Sequence, residues 1–288
     1  MLLTIVIPTH NRPERTAAAI ASVVSQAVSQ PCEIVVVDDA SDEPFAWQGR
    51  NDGGFEVSVL RHDRNGGPAV ARNTGVQAAR GRLVGFLDSD DCLLPDTLQA
   101  RIDRALALDM DRPEGEHRIL ACGWEEQPVS GPTRRRVPRP GTPDDFLRGC
   151  WFSPGSCILA NAGFLRRIDG PFDTRMRRLE DYDLFARLGL LGAELVVEPV
   201  IGARIHTGTV RSSSAITEAA RMIRERFEAM LREGRIDWKQ MRAVDAYLAY
   251  EAAHMRIHGG RPVSGAFALA ASFFHAPRLK LYPGPGWD

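Results

Sequence analysis

The chain has 288 residues, enough for one large domain or one domain with a helical appendage. With 44% hydrophobic residues, 25% charged residues and a formal net charge of −1, it has an ordinary globular composition. It has no global field to hold a polyanion, so nucleic acid is disfavoured as its main partner. The five cysteines form no C-x-x-C pair and cannot all pair with one another, which predicts reduced thiols, a cytoplasmic setting and no zinc site. The N-terminus lacks a basic region and meets Pro8 too early for a signal peptide, and no apolar run reaches the ~18 residues of a membrane helix.

Residues 2–7 are a branched apolar run, which predicts a buried parallel strand. Asn11 is placed to cap the following helix, Pro13 suits its first turn and Glu14 reaches back to the cap. Ala17, Ile20, Val23, Val24 and Ala27 then share one stripe. Further strands are predicted at 33–37, 56–60 and 83–87, with a helix running from Pro68 to Ala79. This alternation predicts an α/β fold with a parallel sheet and helices on both faces. Ligands in such sheets sit beyond the carboxyl ends of the strands, where Thr9-His10-Asn11, Asp38-Asp39 and Asp88-Ser89-Asp90-Asp91 fall.

The remainder is less regular. Strands are predicted at 120–124, 156–160, 195–197 and 201–205, and a short helix at 184–191. Residues 127–142, rich in Pro, Gly and Arg, read as an exposed loop. From Ser214 the pattern is helical, with one stripe through Met222, Ile223, Phe227 and Met230 and another through Tyr247, Tyr250 and His254.

Asp88, Asp90 and Asp91 put three carboxylates into four positions after a buried strand. Such crowding is costly unless a cation neutralises it, and Mg²⁺ or Mn²⁺ would do so while leaving positions open for phosphate oxygens; the plain alternative is an acidic turn in water. Asp38 and Asp39 suit a ribose hydroxyl or a base N–H, and equally an Asx turn. Gly66-Gly67-Pro68 lets the backbone approach a ligand and leads into the helix of Arg72, which is a ligand contact or a surface arginine. Neither a dinucleotide fingerprint nor a P-loop is present. Glu180-Asp181-Tyr182-Asp183 opens a helix, where acidic residues either favour the dipole or supply a general base. His206 suits a metal or a phosphate and Arg211 a phosphate, although a lone histidine after a strand is more often structural.

Five segments in order, Ile5-Val6-Ile7-Pro8-Thr9-His10-Asn11-Arg12, Ile34-Val35-Val36-Val37-Asp38-Asp39-Ala40-Ser41, Gly66-Gly67-Pro68-Ala69-Val70-Ala71-Arg72-Asn73, Phe86-Leu87-Asp88-Ser89-Asp90-Asp91 and Leu179-Glu180-Asp181-Tyr182-Asp183-Leu184, resemble the family-2 glycosyltransferases of the GT-A fold. The resemblance implies a single Rossmann-like GT-A domain over residues 1–212, with a mostly parallel central sheet, and a helical C-terminal extension over 213–288. It implies that Thr9 and Asp39 contact base and ribose, Arg72 the base and Asp88 the ribose side. Asp90, with Asp91 beside it, would hold the metal; Asp181 would be the catalytic base, and His206 and Arg211 would lie near the diphosphate.

The activity implied is inverting transfer of a sugar from a nucleotide-diphosphate donor, a UDP-sugar being the commonest, to the hydroxyl of a carbohydrate or lipid-linked acceptor. The cofactor implied is Mn²⁺ or Mg²⁺, and the setting bacterial polysaccharide or glycolipid assembly. A sugar nucleotidyltransferase would need a Gly-rich basic loop near the N-terminus, which Pro8-Thr9-His10-Asn11 is not. An inactive nucleotide-sugar-binding protein of the same fold is the other alternative; the retained Asp181 and acidic cluster weigh against it. Residues 266–274, followed by His275, Arg278 and Lys280, leave open a peripheral contact with the inner face of the membrane, with core packing the preferred role of the tail.

Overall fold

All seven residues from Leu3 to Thr9 are buried, as are all seven from Cys32 to Asp38, which a strand achieves only when both its faces are covered. A computed structural model describes residues 1–49, 54–129, 131–152, 155–207, 213–258 and 262–275. The chain forms two compact units. The first comprises Met1–Gly141, Phe152–Thr174 and Gly192–Gly208, and the second Thr142–Trp151, Arg175–Leu191 and Thr209–Asp288, so the C-terminal helices share their unit with two segments drawn from earlier in the chain.

The first unit runs β1 (Leu3–Thr9), α1 (Pro13–Val24), β2 (Cys32–Asp38), β3 (Phe55–Arg61), α2 (Pro68–Ala78), β4 (Leu83–Phe86), β5 (Cys92–Leu93), α3 (Leu98–Ala107), β6 (Arg118–Pro128), β7 (Arg134–Arg136), β8 (Ile158–Asn161), α4 (Ala162–Arg166) and β9 (Glu194–Thr207). Its sheet has the order β3-β2-β1-β4-β8-β6-β9-β5, with β7 paired to β6. β3, β2, β1 and β4 run parallel, as do β6 and β9, while β8 is antiparallel to both β4 and β6. Leu3, Ile5, Ile7, Ile34 and Val36 face one core with Ile20 and Val23 of α1 and Ile102 of α3. Val35 and Val37 meet Ala71 of α2 on the other face. Both faces are therefore covered, and the parallel strands deliver Thr9 beside Asp38 at one end of the sheet.

Several local expectations change. Asn11 does not cap α1: it lies in the left-handed region at φ 53, and the N-cap residue is Arg12, which makes no side-chain cap. The Asn11 Oδ1 instead accepts the Asp42 N–H and its Nδ2 donates to the Asp42 carboxylate, tying the end of β1 to the turn after β2. The buried side of α1 is Thr16, Ala19, Ile20 and Val23, and Ala27 lies beyond its end. Within the expected loop 127–142, Arg134–Arg136 forms β7, because Arg135 and Arg136 pair with Glu125 and Glu126 across the hairpin at 2.8 and 2.9 Å. The two strands expected at 195–197 and 201–205 are one, β9, with register irregularities against β6 on either side of Gly123.

In the second unit, α5 (Glu180–Leu190), α6 (Ser213–Arg232) and α7 (Trp238–His258) build a separate core around Tyr182, Ile223, Phe227, Val244 and Tyr247. α5 begins one turn before the expected helix, with Leu179 in the left-handed region preceding it. α8 (Pro262–His275) packs on α7, where Ser272 Oγ donates to the Ala246 carbonyl at 2.7 Å, and it exposes Val263 and Phe267. Among the described residues no helix is long and apolar enough to cross a membrane.

Gly75 sets how closely α2 approaches the sheet: a Cβ there would lie 2.2 Å from Cγ1 of buried Val6. Gly75→Ala is expected to cost about 1–3 kcal/mol by overpacking, in urea denaturation. Combining it with Val6→Ala should recover part of that loss; a Gly75→Ala protein as stable as wild type would show that the helix has room to move.

Candidate functional site

The carboxyl ends of β1, β2 and β4 bring Thr9, Asp38, Asp39 and the turn Asp88–Asp91 to one edge of the first unit. Five carboxylates in so small a region require compensation, and they find it in different ways.

Asp38 is fully buried and accepts N–H bonds from Ser41 and Phe45 and the guanidinium of Arg61 at 2.5 Å. Burial pushes its carboxyl up, but these hydrogen bonds outweigh burial and hold it below the ordinary carboxylate range. Asp38 thus serves as a brace for the loop after β2. Asp39 is also buried, and accepts the N–H groups of Gly66 and Gly67, at 3.0 and 2.6 Å. Its Oδ1 lies 2.7 Å from Nδ1 of His62, whose Nε2 is 2.9 Å from Thr74 Oγ1. The glycine pair is therefore held against the end of β2 by a carboxylate, and Gly67 sits at φ 88, a conformation that favours glycine. Thr9 spends its hydroxyl on Thr16 at 2.6 Å, while its carbonyl accepts the Asp39 N–H.

Arg72 is buried and donates to Asp88 Oδ1 at 2.7 Å, with its guanidinium 5.5 Å from the centroid of the Phe172 ring. Phe172 meets Phe86 edge to face at 5.4 Å, and its backbone exchanges two hydrogen bonds with the Asn73 amide. Asp90 pairs with Arg12 at 2.7 Å, with Arg15 at 3.8 Å.

Asp91 turns the other way. Its Oδ2 accepts the Ser156 hydroxyl at 2.7 Å and its Oδ1 the His206 N–H at 3.0 Å, while Ser156 Oγ accepts the Asp88 N–H. Burial, with the Asp88 charge next in effect, pushes the Asp91 carboxyl up to about 8. Asp91, expected to stand beside the ion, is instead a buried strut that joins the turn to β9 and to the short 3-10 turn before β8. His206 supplies its N–H to this strut and exposes its side chain. Arg211 lies outside the described residues.

Among the described residues no group of three or more metal-ligating side chains is assembled. Asp88 and Asp90 nevertheless fit a hard divalent cation. Both carboxylates are partly exposed, each has one oxygen on an arginine, and the second oxygen of each has no hydrogen-bond donor among the described residues. A groove of about 750 Å³ runs beside α2, lined by Val70, Asn73, Thr74, Gln77 and Gly170 among others; the acidic turn is not part of its wall.

Asp181 lies in the first turn of α5, in the second unit, and is partly exposed. Its neighbours in the Glu180-Asp181-Tyr182-Asp183 run turn inward: Tyr182 donates to the Leu147 carbonyl at 3.0 Å, and fully buried Asp183 pairs with Arg187 at 2.7 Å and with Arg226. His62, Ser156 and Phe172 carry no motif of their own and become visible only through their partners; Arg12 closes the first matched segment, but its pairing with Asp90 is visible only in the fold.

The raised carboxyl of Asp91 sets a pH dependence. A group whose folded value lies above its unfolded one contributes fully below the unfolded value, near 4, and loses that contribution as pH rises towards 8. Wild-type melting temperature should therefore fall between pH 5 and 8 in metal-free buffer. Asp91→Asn, whose amide can donate to Ser156 Oγ and accept from His206, should flatten that slope. Parallel slopes for the two proteins would show that Asp91 is ionised throughout.

Residues 4–146 match the sequence profile of "Glycosyl transferase family 2". The chain is 30% identical over 210 residues to "Succinoglycan biosynthesis protein ExoO" of Rhizobium meliloti, covering 71% of this chain and 60% of that one. It is 29% identical over 184 residues to "UDP-Glc:alpha-D-GlcNAc-diphosphoundecaprenol beta-1,3-glucosyltransferase WfgD" of Escherichia coli, covering 64% and 68%. The chain thus spans about 60% of the length of ExoO, and 62% of an uncharacterized glycosyltransferase of Haemophilus influenzae to which it is 26% identical. The crystal structure of S. aureus TarS superposes with a TM-score of 0.65 at 19% identity, covering 96% of this chain and 50% of TarS. TarS 1-349 in complex with UDP gives 0.56 at 18% identity, covering 96% and 89%. At that identity the likeness speaks for the fold, which is of the GT-A type. With the profile match running from β1 past the acidic turn, the chain belongs to glycosyl transferase family 2.

Proposed function

We propose that this protein is an inverting glycosyltransferase that moves a sugar from a uridine-diphosphate donor to the hydroxyl of a carbohydrate or lipid-linked acceptor in bacterial polysaccharide or glycolipid assembly. The observation that carries this reading is the pair of half-open carboxylates, Asp88 and Asp90, held by arginines at the carboxyl end of β4 beside Asp39, Arg72 and Thr9. The names of ExoO and WfgD, and the UDP and UDP-GlcNAc complexes of TarS, support the donor class and the setting.

In this reading Thr9, Asp39 and Arg72 form the nucleotide end of the site and Asp88 its ribose side. Asp39 and the Gly66–Gly67 turn act as one unit, because the carboxylate fixes the backbone that faces the nucleotide. The cation falls to Asp88 and Asp90 rather than to Asp91, whose two oxygens are already engaged. Mn²⁺ or Mg²⁺ bound there supplies charge neutralisation for the departing diphosphate. His206 and Arg211 add positive or hydrogen-bonding groups towards the same phosphates. Asp181 takes the proton from the acceptor hydroxyl as that oxygen attacks the anomeric carbon from the face opposite the diphosphate, which inverts the centre.

The acidic run of α5 provides the test. Asp181→Asn should lower transfer on the order of 100-fold or more while leaving UDP affinity, by calorimetry, unchanged. Asp183→Asn, which leaves Arg187 and Arg226 facing a neutral amide, should cost about 3 kcal/mol of stability. Equal loss of transfer and UDP affinity in a stably folded Asp181→Asn protein would remove Asp181 from the role of base.

A further inference from the structure

Arg101 on α3 is 1% exposed, and its Nε and Nη1 are buried with no hydrogen-bond partner among the described residues. A guanidinium in an apolar core without hydrogen bonds or a counter-charge is among the costliest arrangements a protein can hold. What stands next to it is sulfur. The Cβ direction of Gly202 on β9 is blocked by Cys122 Sγ at 2.6 Å and by Arg101 Cδ at 3.4 Å, so the thiol and the arginine stem meet over the same glycine. Cys157 closes the group. The antiparallel ladder of β6 and β8 ends at Ala121↔Ile158, Cys157 lies in the short 3-10 turn just before β8, and both cysteines belong to the same core cluster. The Cys157 side chain is hydrogen-bonded to that of Cys122, which sets the two sulfurs next to each other. Both thiols are free and fully buried.

We propose that Arg101, Cys122 and Cys157 form a peroxide-sensitive dithiol site, in which Cys122 is the thiolate counter-ion of Arg101 and Cys157 the resolving thiol. The titratable and charged groups acting on Cys122 are Arg101 and Cys157; Asp91 acts on Cys157. The hydrogen bond from Cys157, and then the Arg101 charge, bring the Cys122 thiol down to about 6 against burial, and Cys157 is pushed up in return. The Cys122 thiolate attacks one peroxide oxygen; the O–O bond breaks, hydroxide leaves and Cys122 becomes a sulfenic acid. The Cys157 sulfur then attacks the Cys122 sulfur, the S–S bond forms, the S–O bond breaks, and the hydroxyl leaves with the Cys157 proton as water. The disulfide removes the counter-ion of Arg101. It also forms one residue from Ser156, the hydroxyl on which the Asp88 and Asp91 hydrogen bonds converge.

The test uses the full-length protein. Thiolate absorbance at 240 nm should show a one-thiol step near pH 6 that is missing in Cys122→Ser and shifted upward in Arg101→Met. At pH 7, hydrogen peroxide should give a Cys122–Cys157 disulfide by peptide mapping. In Cys157→Ser it should give a sulfenic acid at Cys122, trapped with dimedone. Cys32, whose thiol burial pushes up to about 11, should stay unmodified and serves as the internal control. The wild-type titration decides even if Arg101→Met fails to fold. No thiolate step below about pH 8.5, or oxidation of Cys32 at the rate of Cys122, would overturn the proposal.

Discussion

The dominant constraint in this structure is the repulsion among carboxylates delivered to one edge of a parallel sheet. The parallel register of β1, β2 and β4 brings Asp38, Asp39 and the Asp88–Asp91 turn to the same end, where the strands' own hydrogen bonding offers little positive charge. Every feature of the site answers that repulsion. Arg61 and two N–H groups hold Asp38; His62 and the glycine turn hold Asp39; Arg72 and Arg12 hold Asp88 and Asp90. Asp91 is compensated in another way, by burial that favours its neutral form.

This sorts the acids by what they can still do. Asp38 and Asp91 have their oxygens committed to backbone and hydroxyl donors, so they shape the loops around the site. Asp88 and Asp90 each have arginine on one oxygen only and keep partial exposure, the condition under which an incoming cation can bind without first extracting a carboxylate from the core. The same sorting occurs in the second unit. Asp183 is spent on Arg187 and Arg226, whereas Asp181, two residues earlier on α5, reaches solvent.

Much of the first unit was legible from residue order. Branched apolar runs, each followed by a polar cluster, specify buried parallel strands with ligand-facing ends, and β1 to β4 lie within a residue or two of where periodicity puts them. The failures are local and share a cause. Asn11 has the chemistry of a cap, yet its amide finds Asp42, a residue brought close only by the pairing of β1 with β2. Residues 134–136 look like loop because three arginines have no apolar face, but Glu125 and Glu126 on β6 supply the counter-charges that make them a strand.

By itself, the sequence determined the alternation of strand and helix, the acidic clusters at strand ends and the family that those clusters mark, because these depend on near neighbours in the chain. It could not rank three aspartates in one turn, or separate Asp181 from Asp183. Those distinctions come from Ser156, His206 and Arg226, which lie 43 to 115 residues from the carboxylates they contact. Tertiary structure alone decided which of these carboxylates are buried and engaged, since that depends on which donors the fold brings within hydrogen-bond distance and on how much water remains beside each.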